Sequence, residues 1–309
     1  MTMPVSAKVP PDLTRDVAAF VHGFSIEATR PTPSDIAMLA QAAPGGTAVY
    51  LSAIPTKPHR DLIEAAVRVR AAGLEPVPHL AARNFASVSA LDEMLCELAT
   101  RAHVRRILMI AGDRDEPAGE FRSAIEVIET GLLPGRGIEE IGIAGYPDGH
   151  PRITTEALDR ALAAKIEAAA QTGLAVHIVT QFAFSPEPIL FWMRRLRNLG
   201  IDLPVRIGLA GPTNLATLLR YAQRCGVKAS TQGLARQAGL AKHLFGNAAP
   251  DAIVSALAQA QSDGQLGDVA LHLFSFGGAG ATARWAAAAS SGRINLDSGG
   301  GFRVEPPVT

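Results

Sequence analysis

Seven side chains stand where short apolar runs give way to polar residues, and their types are those of acid–base and ligand-binding chemistry. Glu27 interrupts the run Phe24–Ala28 (FSIEA), Ser52 lies in Ala48–Ile54 (AVYLSAI), and His79 follows Pro78 in Glu75–Ala81 (EPVPHLA). Asp113 comes just after Arg106–Ala111 (RILMIA), Tyr146 and His150 flank a Pro-Asp-Gly turn, and Gln181 lies in Val176–Ala183 (VHIVTQFA). A carboxyl in apolar surroundings is expected to have a raised pKa, which suits Glu27 to a general acid or to charge stabilisation. The plainer alternative is a strand-end carboxylate paired with an arginine such as Arg30. His79 could equally hold a backbone carbonyl in the core, and Asp113 could cap a helix ahead of Pro117. Tyr146 and His150 could simply frame a turn. The amide of Gln181 needs partners if buried, and the edge of a heterocycle would supply them.

Other chemistries find no residues to carry them. The five lysines (Lys8, Lys57, Lys165, Lys228, Lys242) all lie away from the inner ends of the runs, where a Schiff-base lysine would have to be. No HxH or HExxH pair suggests a metal, and neither a GxSxG elbow nor a P-loop is present. A bound organic cofactor is therefore expected to carry the chemistry. The run Gly277–Thr282 (GGAGAT) could cradle a phosphate at a helix start or could serve close packing.

The elements that must position these groups are legible as alternation. Besides the runs already given, Glu140–Tyr146, Val205–Ala210 and Val269–Phe276 are apolar and rich in branched residues. Between them lie amphipathic stretches at about Arg60–Ala72, Ser87–Thr100, Thr155–Thr172, Glu187–Leu199 and Thr213–Cys225, several ending at glycine. Near-continuous apolar strands joined by helices predict a parallel sheet buried on both faces, with right-handed crossovers. Eight strands predict closure into a (β/α)8 TIM barrel whose site gathers at the carboxyl ends of the strands. An open doubly wound sheet is the structural alternative. About 58 residues separate strands seven and eight, and extra helices are expected there around Leu234–Leu244 and Pro250–Ser262. Residues 1–309 read as a single domain, with 1–20 as an N-terminal extension and 291–309 as a loosely ordered tail.

Composition narrows the partners. The chain has 309 residues, 48% hydrophobic and 19% charged, with 29 basic and 29 acidic side chains. Such a balance, without a basic run, argues against nucleic acid or an anionic membrane surface as the main partner. No apolar run reaches the roughly 18–20 residues that span a bilayer. Cys96 and Cys225 belong to no CxxC or Cys/His cluster and read as reduced, mostly buried thiols. The N-terminus lacks a signal-peptide pattern, so a cytoplasmic location is expected. The long seventh-to-eighth interval could supply an interface for a homo-oligomer.

Taken in order, the strand-end residues resemble the methylenetetrahydrofolate reductase family over about Phe24–Ser290. Ile143–Pro151 (IAGYPDGHP) is similar to the family's A-x-YP-x-x-HP element, and Val179–Phe182 (VTQF) to its TQ-F element. Pro78-His79-Leu80, Gly112-Asp113, and Ser25-Ile26-Glu27 followed by Pro31 match three further elements. The resemblance implies a (β/α)8 barrel that reduces 5,10-methylenetetrahydrofolate to 5-methyltetrahydrofolate with NAD(P)H through FAD. It implies Glu27 as the acid that assists opening to an iminium, Asp113 beside the pterin and Gln181 on the folate. Ser52, His79, Tyr146 and His150 fall at flavin-contacting positions. Ala111 stands where the family has arginine, Ala28-Thr29 where it has paired aromatics, and Ser52-Ala53-Ile54 where it has Thr-Tyr-Gly. Two expectations follow: FAD held by substitute contacts, or hydride passed directly from NAD(P)H to the folate. A folate- or pterin-binding or methyl-transfer barrel that no longer reduces is the alternative from another class.

Overall fold

The computed structural model describes residues 12–225, 247–297 and 300–305. Eight parallel strands close into a barrel: β1 (Ser25–Ala28), β2 (Ala48–Leu51), β3 (Glu75–Ala81), β4 (Arg106–Ile110), β5 (Glu140–Gly145), β6 (Ala175–Thr180), β7 (Val205–Ala210) and β8 (Val269–Phe274). Closure is made by β8, which pairs with β1 on one side and β7 on the other. The expected α/β barrel is thus the observed fold. Its strands stop one to three residues earlier than some of the apolar runs do, because the last residues of those runs turn into the mouth.

The helices form an outer ring: α1 (Leu13–Val21), α2 (Pro33–Ala42), α3 (His59–Ala71), α4 (Val88–Ala102), α5 (Ala124–Glu129), α6 (Leu132–Gly135), α7 (Thr155–Gln171), α8 (Pro186–Asn198), α9 (Leu215–Cys225), α10 (Asp251–Ser262) and α11 (Ala279–Ser290). Sequence reasoning passed over α2, although Thr32-Pro33-Ser34-Asp35 is a start signal. Thr32 accepts from the Asp35 amide, the Asp35 carboxylate accepts from the Thr32 amide, and Pro33 occupies the first turn. The segment read as an N-terminal extension includes α1, which buries Leu13, Val17, Phe20 and Val21 against α10 and α11. The extra helix expected at Pro250–Ser262 is α10; the one expected around Leu234–Leu244 lies outside the described residues. The stretch after Ser291 is not a loose tail in its described part. Ile294–Leu296 pairs antiparallel with Phe302–Val304, and the buried Phe302 ring stacks on Trp285 of α11. One aromatic and two β-branched residues spaced across a glycine turn carry that hairpin.

The core is of two kinds. Aliphatic residues such as Ile26, Val49, Leu80, Ile107 and Ile143 are fully buried and belong with the helices' apolar faces to one large cluster. Inside the barrel the chain instead places a column of polar side chains. Tyr50 Oη lies 2.7 Å from His177 Nε2, His177 Nδ1 lies 2.6 Å from Glu140, and Arg106 Nε donates to Glu140 at 2.6 Å. A tyrosine proton on Nε2 leaves His177 neutral, with its Nδ1–H on the carboxylate. Gly142 makes the room: a Cβ there would sit 2.8 Å from His177 Nε2.

The column gives a prediction for acid stability. Burial pushes the Glu140 carboxyl up, but His177 and Arg106 together outweigh it and hold the pKa at about 2, against 4.5 ordinarily. A carboxyl depressed by folding contributes stability that is full above pH 4.5 and lost as pH falls toward 2. We expect about 2 kcal/mol of unfolding free energy to disappear across that window and not in Glu140→Gln, measured by urea unfolding at stepped pH.

Candidate functional site

The polar strand ends meet at the mouth around Glu27, the third residue of β1. Ser52 Oγ donates to Glu27 Oε1 at 2.9 Å and lies 2.9 Å from Thr29 Oγ1. On the other oxygen, His79 Nε2 of β3 lies 3.6 Å and His272 Nε2 of β8 3.5 Å from Oε2. Both imidazoles are buried, whereas the Glu27 side chain keeps 15% of its surface exposed. A ligand in the mouth can therefore reach the carboxylate, while His272 is wholly buried and His79 keeps only 7% of its side chain exposed.

This geometry corrects the expected pKa. Burial does push the Glu27 carboxyl up, but His79, His272 and the Ser52 hydroxyl outweigh it and hold it below the ordinary carboxylate value. Burial pushes both imidazoles down. At neutral pH Glu27 is an ionised carboxylate flanked by neutral imidazoles. Of the two roles expected for it, charge stabilisation fits and a resting proton donor does not. The raised value assumed apolar walls; the actual walls bring three hydrogen-bearing polar groups.

The other named residues divide into groups. Ser52 and His79 border a cavity of about 390 Å³ beside Glu27, walled by Ile54, Phe85 and Met94 and rimmed by Arg30 and Lys57. Tyr146 and His150 border a second cavity of about 380 Å³ between β5, α7 and α8. Their rings meet edge to face at 5.3 Å, Gly149 N–H donates to Tyr146 C=O, and the Arg152 amide donates to His150 Nδ1 at 3.2 Å. Burial raises Tyr146 and the charge of Asp113 adds to the effect; burial lowers His150. Asp113 thus stands near that pair, exposed, on a loop after β4 that forms no helix for it to cap. Gln181 is half-buried just past β6, and its Oε1 accepts from the Phe182 amide, so its NH2 group is what remains for a ligand.

Sequence reasoning missed His272, Tyr50 and His177, although each is a polar ring interrupting an apolar strand. It also missed an aromatic wall. Phe182-Ala183-Phe184 after β6 and Phe274-Ser275-Phe276 at the end of β8 are paired F-x-F patterns, visible in the sequence. Phe182 packs edge to face on Phe184, Phe274 and Phe276, and Phe276 stacks on Tyr221 of α9 at 4.0 Å. Phe274 lies beside Glu27 in the β1–β8 register, so the wall faces the carboxylate. The glycine run after β8 is accounted for by packing. A Cβ on Gly277 would lie 2.0 Å from Pro212 C=O, Gly278 has φ +113°, and its N–H is already given to Ser275 C=O.

A parallel barrel that gathers a carboxylate, an amide and an aromatic wall at its strand ends has its candidate site at that mouth, where the sites of this fold lie. The methylenetetrahydrofolate reductase family profile matches residues 29–265, and the chain belongs to that family. Glu27 and His272 lie just outside the matched span. Among relatives, methylenetetrahydrofolate reductase 2 of Saccharomyces cerevisiae is 30% identical over 161 residues, covering 49% of this chain and 26% of that protein. The 5,10-methylenetetrahydrofolate reductase of Pectobacterium carotovorum subsp. carotovorum is 29% identical over 161 residues, covering 50% of each. That of Salmonella typhimurium is 27% identical over 164 residues, again covering 50% of each. The match therefore spans half or less of these relatives' lengths. A solved dihydropteroate synthase from Thermus thermophilus aligns at TM-score 0.45 and 15% identity, covering 84% of this chain and 89% of that one.

Proposed function

We propose that the chain reduces 5,10-methylenetetrahydrofolate to 5-methyltetrahydrofolate with NAD(P)H, by direct hydride transfer and without a bound flavin. The observation that carries the reading is the Glu27 carboxylate at the mouth, with Ser52 donating to one oxygen and two buried imidazoles facing the other. Breaking the bond from the methylene carbon to the departing nitrogen leaves a cationic iminium, and a fixed anion beside it lowers that barrier. The departing nitrogen gains a proton, for which the Ser52–Thr29 hydroxyl pair offers a route from the mouth. Hydride from the dihydronicotinamide then reaches the methylene carbon, giving a methyl group and an oxidised nicotinamide. Gln181 and Asp113 would hold the pterin edge, and the aromatic wall would give it a stacking face.

The four flavin-contacting positions do not fit a flavin as a set. Ser52 and His79 are turned to Glu27, Tyr146 and His150 serve another cavity, and Ala111 offers no charged donor. The Glu27-side cavity, with Arg30 and Lys57 at its rim and apolar walls, suits the nicotinamide nucleotide. The test is the visible spectrum of the purified protein together with NAD(P)H oxidation. We expect a colourless protein that oxidises NAD(P)H only when methylenetetrahydrofolate is present. A yellow protein releasing stoichiometric FAD overturns the direct route, and folate binding without NAD(P)H oxidation marks a barrel that no longer reduces.

A further inference from the structure

We propose that His272 is a positioning residue for Glu27, holding one carboxylate oxygen inside the barrel, with His79, so that the other faces the mouth. The inference rests on the reading that Glu27 works as an ionised carboxylate at the folate site. His272 is fully buried in β8, and its register partner across the barrel seam is Ser25. Ser25 Oγ lies 2.9 Å from His272 Nδ1. The same hydroxyl lies 3.5 Å from Leu271 C=O, so the nearer Nδ1 is its better acceptor. With the proton given to Nδ1, the ring's own proton is on Nε2, the atom that faces Glu27.

Ser25 and Glu27 are two residues apart on β1 and so share its inward face. One strand therefore carries both the carboxylate and the group that orients the carboxylate's partner. Neither His272 Nε2 nor His79 Nε2 has a hydrogen-bond partner among the described residues. Burying an imidazole N–H without an acceptor is costly, and Glu27 Oε2 is the charge both nitrogens face. At 3.5 and 3.6 Å the contacts are long for hydrogen bonds, so the clamp acts mainly through the dipoles of the neutral rings' N–H groups on the Glu27 charge.

Every group packed around His272 is consistent with this role. Tyr50 of β2 lies edge to face at 4.7 Å and Phe274 at 5.0 Å, and neither is charged at neutral pH. The Arg206 guanidinium of β7 acts on the ring from a distance and disfavours its protonated form. Glu27 is thus the carboxylate that the ring answers to. The other oxygen, which accepts from Ser52, itself bonded to Thr29, is the one left for the substrate.

The experiment follows the Glu27 carboxyl itself. Protein with carbon-13 at the glutamate side-chain carboxyls is titrated by NMR, the Glu27 signal being assigned by its loss in Glu27→Gln. His272→Leu should raise the Glu27 midpoint by about one pH unit, and Ser25→Ala by less. His272→Gln, which restores an N–H, should recover part of the shift. If the chain turns over folate, kcat in His272→Leu should fall about tenfold with KM within about twofold. A Glu27 midpoint unmoved in folded His272→Leu overturns the inference, and Ser25→Ala decides it in the same way should the leucine variant fail to fold. Absence of folate turnover in the wild type would sink the proposed function, while the titration would still decide the role of His272.

Discussion

Glu27→Gln is expected to lower methylenetetrahydrofolate-dependent NAD(P)H oxidation by about 10²- to 10⁴-fold while changing folate affinity little. The amide has the same shape and can still accept from Ser52, so the mouth keeps its form. What it loses is the negative charge, and the charge matters only when the iminium forms. The loss should therefore fall on kcat rather than KM. The pH profile separates this reading from a proton-donating glutamate. Because His79, His272 and Ser52 hold the carboxyl below its ordinary 4.5, the active form is present above that value and is lost only as pH drops beneath it. A donor with a raised pKa would instead lose activity on the alkaline side. Steady-state rates from about pH 4 to 9, with the variant's residual rate for comparison, decide the matter. A kcat that falls with rising pH through the range of a raised carboxyl, or a Glu27→Gln enzyme at wild-type rate, would rule out the anionic role.

How far the sequence could be read depended on whether the information was local. Strand-by-strand alternation revealed the barrel because each apolar run is its own signal, and Glu75–Ala81 and Val205–Ala210 were delimited to the residue. Glu27 was visible for the same reason, as a charge breaking an apolar run. Its protonation state was not, because that depends on β3 and β8, about 50 and 245 residues away in the chain. His272 is one ring among apolar neighbours and acquires meaning only when closure brings β8 against β1. Likewise, Ser52, His79, Tyr146 and His150 look equivalent as strand-end residues, yet the strands place them on two different cavities. The C-terminal hairpin escaped notice because its pairing hides in a glycine-rich stretch, where composition suggests a loose chain.

Gly277→Ala should cost about 3 kcal/mol, an effect far out of proportion to one methyl group. Its Cβ would sit 2.0 Å from Pro212 C=O and 2.9 Å from Thr213 Cα, both backbone atoms that no rotamer change can move. Relief must come from separating the loops that follow β7 and β8, and those loops carry Phe276 and the start of α11. At this size each kcal/mol corresponds to about 2–4 °C in Tm, so a fall of about 6–12 °C is expected. Gly278→Ala provides the contrast: its Cβ meets nothing within 4 Å, and only the strained φ of +113° opposes it. That strain is worth about 1–3 kcal/mol and displaces no neighbouring loop. The two variants should consequently part in function. Gly277→Ala, by shifting the aromatic wall, should raise KM for folate, whereas Gly278→Ala should lose stability with KM nearly kept. Equal effects on KM, or a Gly277→Ala protein as stable as wild type, would show that the β7 and β8 loops do not depend on this close approach to shape the mouth.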